Sequence, residues 1–474
     1  GYSHMKPSTQ VGLDPAGVCI PKSYLQVEQL AELRSIPPQK LLKGLGLRNI
    51  ALCNEDESVT DLIAQSIIDL FYTSEGENGN ASEWFSTVDR IYLGTESAVD
   101  GSKPTISYAL DIVREKLNVD FERVDVVDLT FACIGGVDAL QTCLDYVRLN
   151  PKRKCIVVAG DIAKYDLNSG GEYTQGAGAV ALLIAANPRM LSIGSNFGVS
   201  SVHDLDFYKP IRKFHKRDIA AKLADVLKLD TSQKSNLDQL LFNSNTESKR
   251  KAIEGEVESF WDIPSHYVSV LRKEPVYDGH YSNKCFDLRI NSALHDFMEK
   301  SSITDLENFG AWLFHLPYCY QGRRIAVKYW YEEIVLKSEG ASEKLRSEVG
   351  ELIDSSHDEY KAWLKTLSKS NAYLTFVERT ILPSEYMSSR IGNMYTASIF
   401  MALLSHIAFS TNKAIEQSRD LLFLAYGSGS KSKVFAGKLN AAFNRESLKE
   451  KLTSKLVNRT ELSVNEYELQ HQNF

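Results

Sequence analysis

Short apolar runs and stretches of apolar residues at helical spacing follow one another along the chain, and this succession predicts alternating strands and helices. Short β-branched or apolar runs at Ile91–Leu93, Val126–Phe131, Cys155–Ala159, Ala177–Ile184 and Leu421–Ala425 read as strands. Between them, Val59–Phe71, Ile106–Leu117 and Asp138–Leu149 carry apolar residues at helical spacing. The stripe Val137, Leu140, Leu144 and Val147 is the clearest of these. Strands alternating with helices predict an α/β fold with a layered sheet core. Three strands end in residues able to do chemistry: Leu93 leads into Gly94-Thr95-Glu96, Phe131 into Ala132-Cys133, and Ala159 into Gly160-Asp161. Strand ends and the loops after them are where α/β proteins place their sites.

Two stretches break the alternation. Residues 211–272 are polar and charged, with Ile253, Val257 and Phe260 at helical spacing, and read as a helical surface insertion on which Phe260, Trp261 and Tyr267 must pack. Residues 325–389 read as helical too, with mixed charge around Glu343–Glu351 and Asp358–Lys369. Such charge runs are usually solvated helix faces, and a partner or dimer surface is the other reading.

Composition narrows the class. The chain has 474 residues, 43% hydrophobic and 24% charged, enough for two or more core-sized units or one large fused α/β body. A net charge of −7 argues against a nucleic-acid binder, which carries a basic face. Seven scattered cysteines without CxxC spacing argue against structural zinc and suit a reducing cytosol. No apolar run is long enough for a membrane span and no secretory signal is present, so a cytoplasmic location is expected. Gly1–Met5 resembles a cloning remnant, and residues 1–10 are set aside as a lead.

Candidate chemistry centres on Cys133. It stands at a strand-to-helix switch, before Ile134-Gly135-Gly136, where unpaired N–H groups and the helix dipole favour a thiolate. The same position also suits a buried structural cysteine. Gly-rich turns at Ser169–Gly178 and Gly427-Ser428-Gly429, and a histidine in Phe314-His315-Leu316-Pro317-Tyr318, complete a set of thiol, carboxylate, imidazole and Gly-rich loops.

With these residues in place, the chain resembles the 3-hydroxy-3-methylglutaryl-CoA (HMG-CoA) synthases of the thiolase superfamily, nearest the bacterial mevalonate-pathway type. The motifs that carry it are Gly-Thr-Glu at 94–96, Ala-Cys at 132–133, Leu-Asn-Ser-Gly-Gly-Glu at 167–172 with Thr-Gln-Gly-Ala-Gly-Ala-Val at 174–180, and Asp-Phe-Tyr-Lys-Pro at 206–210. His-x-Pro-Tyr at 315–318, Gly-Asn-Met-Tyr-Thr at 392–396 and Tyr-Gly-Ser-Gly at 426–429 complete the set. The resemblance implies a five-layered αβαβα fold of two similar fused halves, 11–186 and 187–474, and a homodimer. It implies an acyltransferase of the mevalonate route to isoprenoids that condenses acetyl-CoA with acetoacetyl-CoA, using no metal or redox cofactor.

By that resemblance Cys133 is the acetyl carrier, Glu96 the general base and His315 the group that polarises the second substrate. The backbone N–H groups of Cys133 and Ser428 match the oxyanion hole. Asn393, Thr174, Asp161, Asp206, Tyr208, Pro317, Tyr318 and Gly427 match substrate-lining positions. The chain also departs from the pattern. Tyr320 stands where the family carries a Lys for CoA phosphates, so Arg323, Arg324 and Lys209 become the phosphate candidates. Ile134 replaces an aromatic residue after the nucleophile, Val137-Asp138 replaces a small Thr, and the 211–272 segment follows Asp-Phe-Tyr-Lys-Pro directly. These departures leave open a polyketide β-branching relative acting on an acyl carrier protein, for which Lys209, Arg212, Lys213, Lys216 and Arg217 offer a basic patch. A catalytically silent scaffold of the same fold is a third reading.

Overall fold

The computed structural model describes residues 9–242, 266–271 and 273–473. The Gly1–Met5 reading and the helix expected through Ile253, Val257 and Phe260 lie outside them, as does Trp261. Among the described residues the chain forms two compact units: residues 9–207 with 278–473, and residues 208–277.

The larger unit is built on a ten-stranded mixed sheet. Its strands are β1 (Val11–Cys19), β2 (Val88–Gly94), β3 (Asp125–Leu129), β4 (Lys154–Ala163), β5 (Gly176–Ala186), β6 (Leu191–Ile193), β7 (Ala311–Phe314), β8 (Asp420–Gly427) and β9 (Lys431–Leu439), with Gly198–Ser201 beside β9. The order is β7-β8-β9-β6-β1-β5-β4-β2-β3. The strands that carry the candidate chemistry are paired in parallel, β3 with β2, β2 with β4, and β7 with β8. The helices that matter here are α1 (Val59–Glu75), α2 (Thr105–Leu117), α3 (Gly135–Leu149), α4 (Gly279–Ser301), α5 (Gln321–Trp330), α6 (Asn371–Thr380) and α7 (Ser398–Phe409).

Side-chain alternation divides this sheet into layers. On one face, Ile91, Leu93, Ile156, Val158, Ala179 and Leu183 pack with α1 and α2. On the opposite face, Tyr92, Val157, Ala159, Val180 and Leu182 pack with α3 and α7, which also meet Leu313, Phe423 and Phe435 from the second half. Trp312, Phe314, Leu422, Leu424 and Val434 then face outward onto α4, α5 and α6. Helices α3 and α7 thus form the middle of five layers. Strands buried on both faces explain why their sequences read as continuous apolar runs.

The division into halves at 186 and 187 does not part the chain, because β1 joins β5 of the first half to β6 of the second. The 325–389 stretch is helical, but it is not a solvated pair. Trp330, Tyr331, Tyr373 and Phe376 are buried against Trp312 and Phe314. The charge runs hid these aromatic anchors.

The smaller unit corrects the helical reading of 211–272. Its ends are two antiparallel strands, Ile211–His215 and Tyr267–Leu271, in unbroken register from Ile211 opposite Leu271 to His215 opposite Tyr267. Helices follow at Lys216–Val226 and Thr231–Phe242. Tyr267, expected to need a packing partner, is 52% exposed. The pattern misled because charged residues interleave with apolar ones on a ribbon exposed on both faces.

Candidate active site

Cys133 lies just ahead of α3, where the chain turns sharply. Ala132 takes φ +41°, a left-handed conformation that costs a non-glycine residue roughly 1–2 kcal/mol. Close approach of backbones makes the turn possible. A Cβ on Gly94 would sit 2.1 Å from the Gly136 nitrogen, so the end of β2 can lie against the start of α3 only as glycine. This brings Glu96 to the thiol. Cys133 Sγ donates to Glu96 Oε2 at 3.6 Å, with Cys133 buried and Glu96 half-buried.

Glu96 is held by its neighbours' hydrogen bonds to Asp161. Asp161 Oδ1 accepts from Thr95 Oγ1 at 2.8 Å, Glu96 N at 2.8 Å and Ser97 Oγ at 2.7 Å. Oδ2 accepts from Thr396 N at 3.1 Å and Thr396 Oγ1 at 2.6 Å. Asp161 is fully buried, and it is the peg on which the Glu96 turn and the Thr396 turn hang.

The second half supplies the other wall. His315 follows β7, and its backbone N donates to Leu424 O at 3.2 Å. The ring lies nearly parallel to Phe286 at 6.4 Å, and burial pulls its pKa down to about 3, so the imidazole is neutral. Its Nδ1 is buried without a hydrogen-bond partner among the described residues. Gly427 backs the Cys133 turn directly, since a Cβ there would stand 2.6 Å from Phe131 O and 2.7 Å from Ile134 Cγ2. Ser428 follows it in the tight turn between β8 and β9.

Asp206 is a second buried carboxylate at the site. It is fully buried, and its oxygens accept from Tyr426 Oη at 2.9 Å, Ser282 Oγ at 3.1 Å and Gly429 N at 2.9 Å. It fixes the Ser428 turn. Asn393 is buried, with its side-chain oxygen accepting from Tyr395 N at 2.8 Å and its own N donating to Thr174 O at 2.9 Å. The amide NH2 is therefore the donor end. Thr174 Oγ1 donates to Gly171 O at 2.6 Å. Pro317 and Tyr318 are half-buried beyond His315, and Tyr208 and Lys209 belong to the smaller unit.

The phosphate candidates separate. Arg323 forms a two-pronged pair with buried Glu385 and stacks on Tyr320 at 3.8 Å, so its guanidinium is committed within the fold, which corrects that expectation. Arg324 is exposed, donating to Tyr318 Oη at 3.1 Å and Gly44 O at 2.6 Å.

Several residues at the site gave no sequence signal of their role. Tyr395, Tyr165 and Phe207 form a buried cluster with Cys133 and Ala163. Tyr395 takes φ +47° and burial raises its phenol pKa well above the usual value, so it stays protonated. The Gly-Asn-Met-Tyr-Thr run pointed to the segment but not to this ring. Among the described residues no cluster of His, Cys, Asp or Glu could hold a metal, and no helix is long and apolar enough to cross a membrane.

Comparison with known proteins agrees with this geometry. Residues 7–189 match the family described as hydroxymethylglutaryl-coenzyme A synthase N terminal, and residues 261–473 match its C terminal counterpart. The hydroxymethylglutaryl-CoA synthase of Enterococcus faecalis is 26% identical over 458 residues, covering 97% of this chain and 90% of that protein. The one from Haloferax volcanii is 25% identical over 478 residues, covering 98% and 91%. A solved structure of MvaS in complex with 3-hydroxy-3-methylglutaryl coenzyme A superposes with TM-score 0.72 at 24% identity, covering 98% of this chain and 92% of that one. The Curacin pathway HMG synthase in complex with an acetyl donor-ACP shares the fold at TM-score 0.70 and 17% identity, covering 98% and 88%.

Proposed function

The chain belongs to the hydroxymethylglutaryl-coenzyme A synthase family, and from that membership we propose that it condenses acetyl-CoA with acetoacetyl-CoA through an acetyl-Cys133 thioester, giving HMG-CoA and free CoA. The observation that carries the reading is the Cys133–Glu96 pair, a thiol with a carboxylate 3.6 Å from its sulfur. Cys133 Sγ attacks the acetyl-CoA carbonyl, and the CoA sulfur leaves with the proton. The transient oxyanion needs fixed donors, for which the N–H groups of Cys133 and Ser428 are our assignment. An acetyl on the sulfur then places its methyl within reach of Glu96, which removes a proton as general base. The carbanion attacks the keto carbon of acetoacetyl-CoA, and the alkoxide that forms takes the proton back from Glu96. His315, neutral because it is buried, acts there as a hydrogen-bond donor and not as a charge. Water finally cleaves the thioester to release product. The same reading takes the enzyme to work in the mevalonate pathway, in the cytoplasm, as a homodimer and without a metal or redox cofactor.

One observation favours a second reading. Tyr320 stands where the family carries a Lys for CoA phosphates, and Arg323 is committed to Glu385, which leaves Arg324 and Lys209 of the three phosphate candidates. A weak CoA-phosphate grip would suit a β-keto chain carried on an acyl carrier protein. Intact-protein mass spectrometry after mixing with acetyl-CoA, then chasing with acetoacetyl-CoA or an acetoacetyl carrier protein, decides. An acetyl adduct on Cys133 discharged by the free CoA substrate supports the first reading. Discharge only onto the carrier protein moves the enzyme to β-branching, and no adduct from any donor sinks both.

A further inference from the structure

The Val137-Asp138 departure has a partner in the other half of the chain. Asp138 sits in the first turn of α3, and Lys431 and Lys433 point at it from β9: Lys431 Nζ is 2.7 Å from Oδ2 and Lys433 Nζ 2.7 Å from Oδ1. All three side chains are well buried, at 13%, 16% and 12% exposure for Asp138, Lys431 and Lys433. Lys431 also lies 4.4 Å from the centre of the Phe131 ring, two residues before Cys133.

Lys431 is the register partner of Gly427, so it closes the base of the turn that holds Ser428. From the opposite side, Asp206 holds Gly429 N and Asp204 holds Ser430 Oγ. Those bonds fix the turn within its own half, whereas the Lys431 and Lys433 contacts tie it to the helix that starts behind Cys133.

We propose that Asp138, Lys431 and Lys433 are positioning residues: their ion triad holds the Ser428 turn in register with the Cys133 turn, so that both backbone N–H groups meet one developing oxyanion. This rests on the acyl-transfer reading above. A buried ion triad adds little net stability over an apolar replacement, because desolvation offsets the Coulomb gain, and fixing register is the best-supported use of such groups. Donors shared between two halves of a chain are where register matters most, since an oxyanion hole works only when its donors are preorganised.

The test compares wild type, Lys431→Arg, Lys431→Met and the triple variant Asp138→Ala/Lys431→Met/Lys433→Met. The triple variant removes all three charges together and leaves none unpaired. Three quantities are read: the melting temperature, the nitrophenolate burst from p-nitrophenyl acetate corrected with Cys133→Ala, and the rate and apparent KM of acetyl-Cys133 formation from acetyl-CoA. The triple variant is expected to melt near wild type while burst and acetylation slow about tenfold, equivalent to roughly 1.4 kcal/mol on the barrier. KM is expected to hold, and Lys431→Arg to keep the wild-type burst. A folded triple variant bursting at the wild-type rate overturns the proposal. If the triple variant does not fold, Lys431→Met, which keeps Asp138 paired with Lys433, decides by the same readout. A wild-type burst without an acetyl-CoA adduct counts against the proposed donor and leaves the triad standing, whereas no wild-type burst overturns both.

Discussion

The strand ends that carry Cys133 and His315 use one placement device in opposite surroundings. Both residues follow strands of a parallel pair in the same sheet. The Cys133 side combines an aromatic cluster with a polar network. Its carboxylate partner is half-buried, and the turn beside it is fixed by three hydrogen bonds to Asp161, which takes two more from Thr396. The His315 side is apolar, with the ring nearly parallel to Phe286 and its charge suppressed by burial. Polar surroundings suit proton removal and nucleophilic attack, whereas an apolar pocket keeps an imidazole neutral so that it donates a hydrogen bond at ordinary pH. The two buried aspartates extend the parallel. Asp161 organises the Glu96 turn and Asp206 the Ser428 turn.

The sharpest way to break this comparison is to remove each reacting group. Cys133→Ala should abolish the acetyl adduct and every later step by mass spectrometry. Glu96→Ala should still form the adduct but condense about 10²–10⁴-fold more slowly, the usual worth of a positioned base. A Glu96→Ala protein that cannot be acetylated would refute the division of labour. His315→Ala should leave acetylation intact and lower kcat/KM for the acetoacetyl substrate, and the wild-type profile should show no limb from His315 between about pH 5 and 8, because its pKa lies near 3.

The aspartates should part by step. In Asp161→Asn an amide NH2 would face donors only, which orphans at least one of them at a cost of about 1–3 kcal/mol each. Urea unfolding should report that loss, and condensation should suffer more than acetylation. Asp206→Asn should instead slow acetyl-Cys133 formation, since it loosens the Ser428 turn. Equal effects of the two variants on both steps would erase the distinction.

The smallest effect is on stability with pH. His315 and His406 are buried and neutral, with pKa values lowered to about 3 and about 4, in His406 by burial and then by Arg445. The unfolded chain binds these protons near pH 6.5, so stability is full above about 6.5 and falls as pH drops toward the folded values. Each site can contribute up to about 1.4 kcal/mol per pH unit in that window. His406→Gln should flatten the fall in the urea midpoint between about pH 6.5 and 5, and an unchanged slope would remove His406 from the account.

The sequence by itself determined the elements and the chemistry they carry. Continuous apolar runs marked β2, β4, β5 and β8, 3.6-residue periods marked α1 to α3, and the motif order singled out Glu96, Cys133 and His315, because these signals are local and survive without knowledge of contacts. Strand β3 was legible too, though the run through Phe131 stops at Leu129, where the chain turns to present Cys133. Only the tertiary structure decided how the polar residues of the site are tied into the fold. Asp161 and Thr396 are 235 residues apart, Asp206 and Gly429 are 223 apart, and Arg323 meets Glu385 across 62. Nothing in a local pattern records where a carboxylate finds its donors, and a buried hub and a substrate contact are the same letter in the chain. The ribbon at 211–215 and 267–271 was hidden for the same reason: a strand is identified by the partner it pairs with, and that partner lies more than fifty residues away.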